Sequence, residues 1–230
     1  SSHFIKMSQE NINSAFDVVN PKNAALNIPK KLGQYTLDKK ILETESSIVL
    51  SSTDPTTNKK VAIKCIPIEY FNLNPGQIQI MQSLNDSNII KILDSFQYPQ
   101  QNPRFFAIVM PRAVNDLLDY TMLINLELAE PIVCKIMREL LTAINTLHSN
   151  NIWHRNIKLD NILVMEETRL GPNVVITDFC KSIVVNTPTF NGPVVGTIQY
   201  AAPELLEVSS DKIHAGFKAN AVCLFFFQIK

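Results

Sequence analysis

The stretch Trp153-His154-Arg155-Asn156-Ile157-Lys158-Leu159-Asp160-Asn161 decides how this chain is read, because it gathers His154, Arg155, Lys158 and Asn161 into one polar loop between two patterned segments. Upstream, from Pro131, the apolar set Val133, Ile136, Met137, Leu140, Leu141, Ile144 and Leu147 keeps three-and-four spacing. That period predicts an amphipathic helix, which Ser149-Asn150-Asn151 ends. Downstream, Ile162 to Val164 and Val174 to Thr177 read as a short strand pair. Core packing accounts for the helix stripe and the strands. It does not account for the loop.

Composition narrows the setting. The chain has 230 residues, 46% of them apolar, enough for one sizeable core or two small lobes. Its formal net charge is zero, which gives no bulk attraction to nucleic acid or anionic lipid. Cys65, Cys134, Cys180 and Cys223 form no C-x-x-C pair, so neither a disulfide framework nor a zinc knuckle is expected, and a reducing compartment is. No basic region followed by an apolar run opens the chain. The longest apolar run, Ala221 to Phe227, falls far short of the ~20 residues that span a bilayer. A cytoplasmic protein is the expectation.

The first 34 residues read as an N-terminal tail rich in Asn, Ser and Lys. From Tyr35 the pattern turns to strand: Tyr35 to Leu42, then Ile48-Val49-Leu50, with turn residues at Asp54 to Asn58, then Val61 to Ile66. Asn74-Pro75 predicts a helix start, with Asn as cap and Ile78, Met81 and Leu84 turned inward. Ile89 to Phe96 and Phe105 to Met110 read as two further strands. Five strands with one helix after the third suit a small, mostly antiparallel lobe.

Four motifs then fall in order. Val61-Ala62-Ile63-Lys64 matches V-A-I-K, and His154 to Asn161 resembles H-R-D-x-x-x-x-N with Asn156 in place of the aspartate. Asp178-Phe179-Cys180 stands where D-F-G belongs, and Gly196-Thr197-Ile198-Gln199-Tyr200-Ala201-Ala202-Pro203-Glu204 resembles the segment ending in A-P-E. Any one of these is a weak signal with a local explanation. Together, from about Tyr35 onward, they make the chain similar to the eukaryotic protein kinase superfamily, Ser/Thr type.

That resemblance implies an α+β, two-lobed fold: a tail over 1–34, a small β lobe with one helix over 35–113, and an incomplete, mainly helical large lobe over 114–230. It implies ATP and Mg²⁺ as cofactors, held weakly or not at all. Lys64 would meet the phosphates and Val49, Ala62, Met110 and Leu163 would enclose adenine, while Asn161 and Asp178 would offer oxygens to the metal. Lys158 and the degenerate base position Asn156 would make up the catalytic loop. Pro111-Arg112-Ala113 would be the hinge, and Thr187 and Thr189 hydroxyls within reach of Arg155 if phosphorylated.

The departures are as specific as the matches. Leu42, Thr44 and Ser47 hold the positions of the phosphate-covering glycines, and no glycine lies between Gly33 and Gly76. Gln77 stands where a glutamate pairs the strand lysine, so Lys64 is expected to pair with Asp178 instead. Asn156 cannot take a proton from a substrate hydroxyl, help typically worth ~10²–10⁴ in rate. Cys180 replaces the D-F-G glycine. These losses predict a pseudokinase that acts by binding; a slow Ser/Thr kinase and a truncated fragment without a role are the alternatives. Phe217 to Phe225 resembles the start of the large lobe's central helix, with Asn220 for aspartate. Val222, Leu224, Phe225 and Phe227 would then form an uncovered apolar patch for a protein partner or for self-association.

Overall fold

The computed structural model describes residues 28–44, 46–98, 104–123, 128–186, 195–197 and 200. Its first part is a six-stranded antiparallel sheet in the order β1-β2-β3-β4-β6-β5. The strands are β1 (Lys31–Leu32), β2 (Tyr35–Thr44), β3 (Ser47–Thr53), β4 (Lys60–Pro67), β5 (Asp94–Tyr98) and β6 (Phe105–Pro111). Alternation along β4 decides its two faces. Val61, Ile63 and Cys65 pack with Leu32, Tyr35, Phe105 and Val109 on one side. Ala62 and Ile66 face the other side and join the main core.

Two short helices follow β4: α1 (Ile68–Phe71), which the sequence pattern did not announce, and α2 (Gln77–Ser83). Asn74 does not cap α2. The helix begins three residues later, after Gly76, and the Asn74 side chain is used elsewhere. The expected strand from Ile89 begins only at Asp94, because Ile89 makes a lone parallel bridge to Ile176 and anchors the far side of the molecule.

After β7 (Asn115–Asp116) and α3 (Leu117–Leu123) comes the long helix α4 (Glu130–Ser149), with Pro131 in its first turn. Val133, Ile136, Leu140, Ile144 and Leu147 are buried, as the period predicts, and Ala143 joins them. Met137 is partly buried, and Leu141 is the exception. It sits one residue off the stripe and is half exposed. Strands β9 (Ile162–Thr168) and β10 (Gly171–Ile176) form the predicted pair, extended by β7 on the β9 side, while β8 (Ile152–Trp153) pairs with β11 (Ile183–Val184). Lys135 and Glu139 on α4 tie the helix to β10 through Pro172 O, Asn173 Oδ1 and Val174 N. One continuous core joins Ala62 and Ile66 of the sheet, Ile78 and Met81 of α2, the buried face of α4, and Ile162 to Ile176.

The expected D-F-C strip, catalytic loop and strand lysine are all described. Residues 1–27 and 201–230 lie outside the described residues, and with them the apolar patch at Val222–Phe227; Thr187 and Thr189 lie outside them too.

Candidate functional site

Lys64 stands in the middle of β4, opposite Val49 on β3 and Ile108 on β6. Period-two alternation turns it to the face of Ala62 and Ile66, toward the second half of the chain. Its ammonium meets Asp178 Oδ1 at 2.5 Å, and each side chain is about one-fifth exposed (18% and 19%). Burial opposes the charge on Lys64, but the Asp178 carboxylate outweighs it and raises the lysine pKa. Burial likewise opposes the charge on Asp178, yet Lys64 beside it holds the carboxyl well below the usual range. Both groups are ionised at neutral pH. The expected Lys64–Asp178 pair is present.

Asp178 is delivered by the end of β10. Ile176 N donates to Asn88 O, Ile176 O accepts from Ile90 N, and Thr177 N donates to Asn161 O. Asp178 itself is left-handed (φ 66°), a conformation that a non-glycine residue adopts at a cost of about 1 kcal/mol or more. A 3-10 turn (Phe179–Lys181) follows. Phe179 is buried beneath α2 in the main core and meets the His154 ring edge-on at 4.8 Å.

The catalytic loop wraps this strip. Asn156 N donates to His154 Nδ1, so the ring carries its proton on Nε2 and donates it to Thr177 O at 3.0 Å. Burial pushes the His154 pKa down to about 4, which keeps the ring neutral. Arg155, also left-handed (φ 63°), donates from Nε to Lys181 O at 2.6 Å. Gly196 packs against this turn: a Cβ there would lie 2.8 Å from Arg155 O, and its φ of 136° suits glycine alone.

Asn156 is the hub. Its Nδ2 donates to Asp178 Oδ2 at 3.1 Å, while its Oδ1 accepts from the Thr197 hydroxyl at 3.3 Å. The reversed amide would set oxygen against carboxylate oxygen, so Asp178 decides the orientation. Asn161 Nδ2 donates to Asn156 O at 2.7 Å. Lys158 pairs with Asp160 at 2.9 Å. Burial together with the Asp178 carboxylate pushes the Cys180 thiol up to about 12.

Among the adenine-wall candidates, Ala62 and Met110 face each other across β4 and β6, and Val49 and Leu163 pack against the same core. Gln77 is buried and its Nε2 donates to Asn74 O, while the Lys64 ammonium donates to Asp178. Asn74 Nδ2 in turn spans to Cys180 O and Ser182 O at 3.0 and 2.8 Å. Nothing in the sequence pattern announced that tether, nor the contact of Asn156 with Asp178. In place of a glycine loop, β2 and β3 stay paired up to Thr44 opposite Ser47. The Ser47 amide donates to Thr44 Oγ1 at 3.1 Å, and the two hydroxyls are 3.0 Å apart. The Ser47 amide, among those that could face a phosphate here, is spent on the hairpin.

A lysine in a sheet paired with an aspartate after a strand, beside a His-Arg-Asn loop, is the arrangement of a protein kinase cleft. The protein kinase domain family matches residues 35–221, and the chain belongs to that family. It is 28% identical over 184 residues to the liver/testis phosphorylase b kinase gamma catalytic chain of Bos taurus, covering 75% of this chain and 43% of that one. A probable myosin light chain kinase of Dictyostelium discoideum is 29% identical, with 79% and 57% covered. From the same organism, the probable serine/threonine-protein kinase MARK-B is 31% identical, with 76% and 24% covered. The chain thus spans only part of the length of these relatives.

Kinases use ATP with Mg²⁺ held by the D-F-G aspartate and the loop asparagine. Mg²⁺ demands near-octahedral oxygen ligation. Here Asp178 Oδ1 is held by Lys64 and Oδ2 by the Asn156 amide, and Asn161 has its nitrogen tied to Asn156 O. Lys64 alone would leave Oδ2 open to a cation; the Asn156 amide stands beside that oxygen and donates to it. Arranged so, these residues do not fit a resident Mg²⁺. Among the described residues, no group of three or more His, Cys, Asp or Glu side chains could hold a metal either.

Proposed function

We propose that this kinase-family domain works by binding and not by phosphoryl transfer. The observation that carries the reading is the position of Asn156: a neutral amide stands at the base position and donates to Asp178. A group that donates there cannot accept a substrate proton. The hydrogen-bonded hairpin tip and the diversion of Gln77 to Asn74 O add losses in phosphate gripping and in positioning Lys64. Transfer of radiolabelled phosphate from ATP, by wild type and Asp178→Ala, tests it. The expected result is no Asp178-dependent incorporation; incorporation that disappears in Asp178→Ala overturns the reading.

The retention of Lys64, Asn161 and Asp178 in one cleft supports a second reading, a slow Ser/Thr kinase, because phosphoryl transfer depends mainly on positioning and charge. The same assay separates the two. In either case the hinge at Pro111-Arg112-Ala113 divides a small lobe over 35–113 from a large lobe beyond, and weak ATP binding would use Val49, Ala62, Met110 and Leu163. A protein partner, or a second copy docking through Val222–Phe227, is the binding role we assign. A cytoplasmic setting is consistent with the free thiols of Cys65, Cys134 and Cys180. No helix among the described residues is long and apolar enough to cross a membrane.

A further inference from the structure

We propose that the Asn156 amide replaces the divalent cation in this cleft, so that the site is complete without metal and any nucleotide it takes is bound free of Mg²⁺. An aspartate at position 156 would face Asp178 with two carboxylate oxygens about as close as the present nitrogen and oxygen, 3.1 Å. Two like charges at that separation need a cation or a proton between them. Asn156 removes one of the charges and supplies an N–H in the space, so the pair is attractive as it stands.

The surroundings complete the substitution. Lys64 neutralises the one remaining negative charge through Oδ1. Thr197 and Asn161 fix the Asn156 amide and backbone from the other side, so the amide cannot turn away without losing the Thr197 hydroxyl and setting oxygen against oxygen. The carboxylate therefore receives an ammonium on one oxygen and an amide on the other, so that each oxygen already has a donor from the protein. A cation would have to displace the amide from both Asp178 and Thr197, and the one carboxylate oxygen and Asn161 carbonyl it gains do not repay that loss on top of its dehydration.

Titration of the full chain with Mn²⁺, followed by electron paramagnetic resonance of the free ion, tests this without any activity readout. The expected result is that no Mn²⁺ is bound at millimolar concentration by wild type, and that the thermal shift given by ATP is the same in EDTA as in Mg²⁺. Mn²⁺ bound by wild type and lost in Asp178→Asn overturns the proposal, as does an ATP shift that EDTA abolishes. Asn156→Asp is expected to lose melting temperature in EDTA and regain it in Mg²⁺ or Mn²⁺, with a bound Mn²⁺ appearing. A folded Asn156→Asp chain indifferent to Mn²⁺ overturns the role given to Asn156. Should that variant fail to fold, Asn156→Gly frees Oδ2 without adding charge and is expected to bind Mn²⁺; a folded Asn156→Gly chain that binds none overturns the same role. The inference deepens the binding reading of the cleft but fails separately from it. A wild type that binds Mn²⁺ at Asp178 and still transfers no phosphate sinks the metal-free site alone.

Discussion

On the sheet side of the cleft, Thr44 and Ser47 stand where the family has glycines, and the strands simply close over them with hairpin hydrogen bonds. On the loop side, Asn156 stands where the family has its base, and it draws Asp178, Thr197 and Asn161 into one network. The difference follows from where the partners lie. Thr44 is exposed, and Ser47, although buried, meets it three residues away in the same hairpin. Asn156, Asn161 and His154 are buried, and a buried polar group without a partner costs about 1–3 kcal/mol. A change at the tip is absorbed locally, whereas a change in the loop has to be met by new partners.

The contrast is broken most sharply at Lys64. Lys64→Met strands the Asp178 carboxylate and is expected to cost about 3–5 kcal/mol, read from urea unfolding; a loss no larger than that of a surface substitution would show that the pair carries no stability. Acid should act next. With His154 held down to about 4 when folded and titrating near 6.5 when unfolded, the unfolded chain binds more protons in that window. Stability is full above about pH 6.5 and falls toward pH 4, by up to about 3 kcal/mol from this residue. His154→Gln should flatten the slope of unfolding free energy against pH; an unchanged slope would assign it to other groups.

Gly196→Ala comes third. The added methyl would meet Arg155 O at 2.8 Å in a backbone conformation that alanine avoids, a cost of about 1–3 kcal/mol. Faster hydrogen exchange at Thr197 and Asn156 would report the loosened contact, and unchanged protection there would contradict it. The smallest effect belongs to the hairpin. Ser47→Ala removes one hydroxyl contact and should cost no more than about 1 kcal/mol, with His154 resonances unmoved. A loss comparable to that of Lys64→Met would erase the distinction between the two sides.

The sheet, α4 and the β9–β10 pair were legible because their periods repeat over several residues, and the order of the four motifs made the kinase family legible as well. Element starts were not. Asn74-Pro75 reads as a helix cap, but two carbonyls of the D-F-C strip compete for the Asn74 amide and win, so α2 begins after Gly76. Ile89 belongs to an apolar run that reads as strand, yet its backbone serves β10 and not the main sheet. The pairing of Lys64 with Asp178 could be foreseen from charge, since Gln77 offers none. The donation from Asn156 to Asp178 could not, because only the fold brings together residues so far apart in the chain.

Asn74 has a mechanical consequence. One side-chain nitrogen grips the backbone at Cys180 and at Ser182, on the strip that carries Asp178, from the residue that leads into α2. Helix and strip are therefore coupled like two links on one pin. A partner that pulls on either moves the other, unless it first supplies the ~1 kcal/mol that each of the two bonds holds. A pull on the segment that leads into α2 thus reaches the strip that carries Asp178 with no nucleotide present.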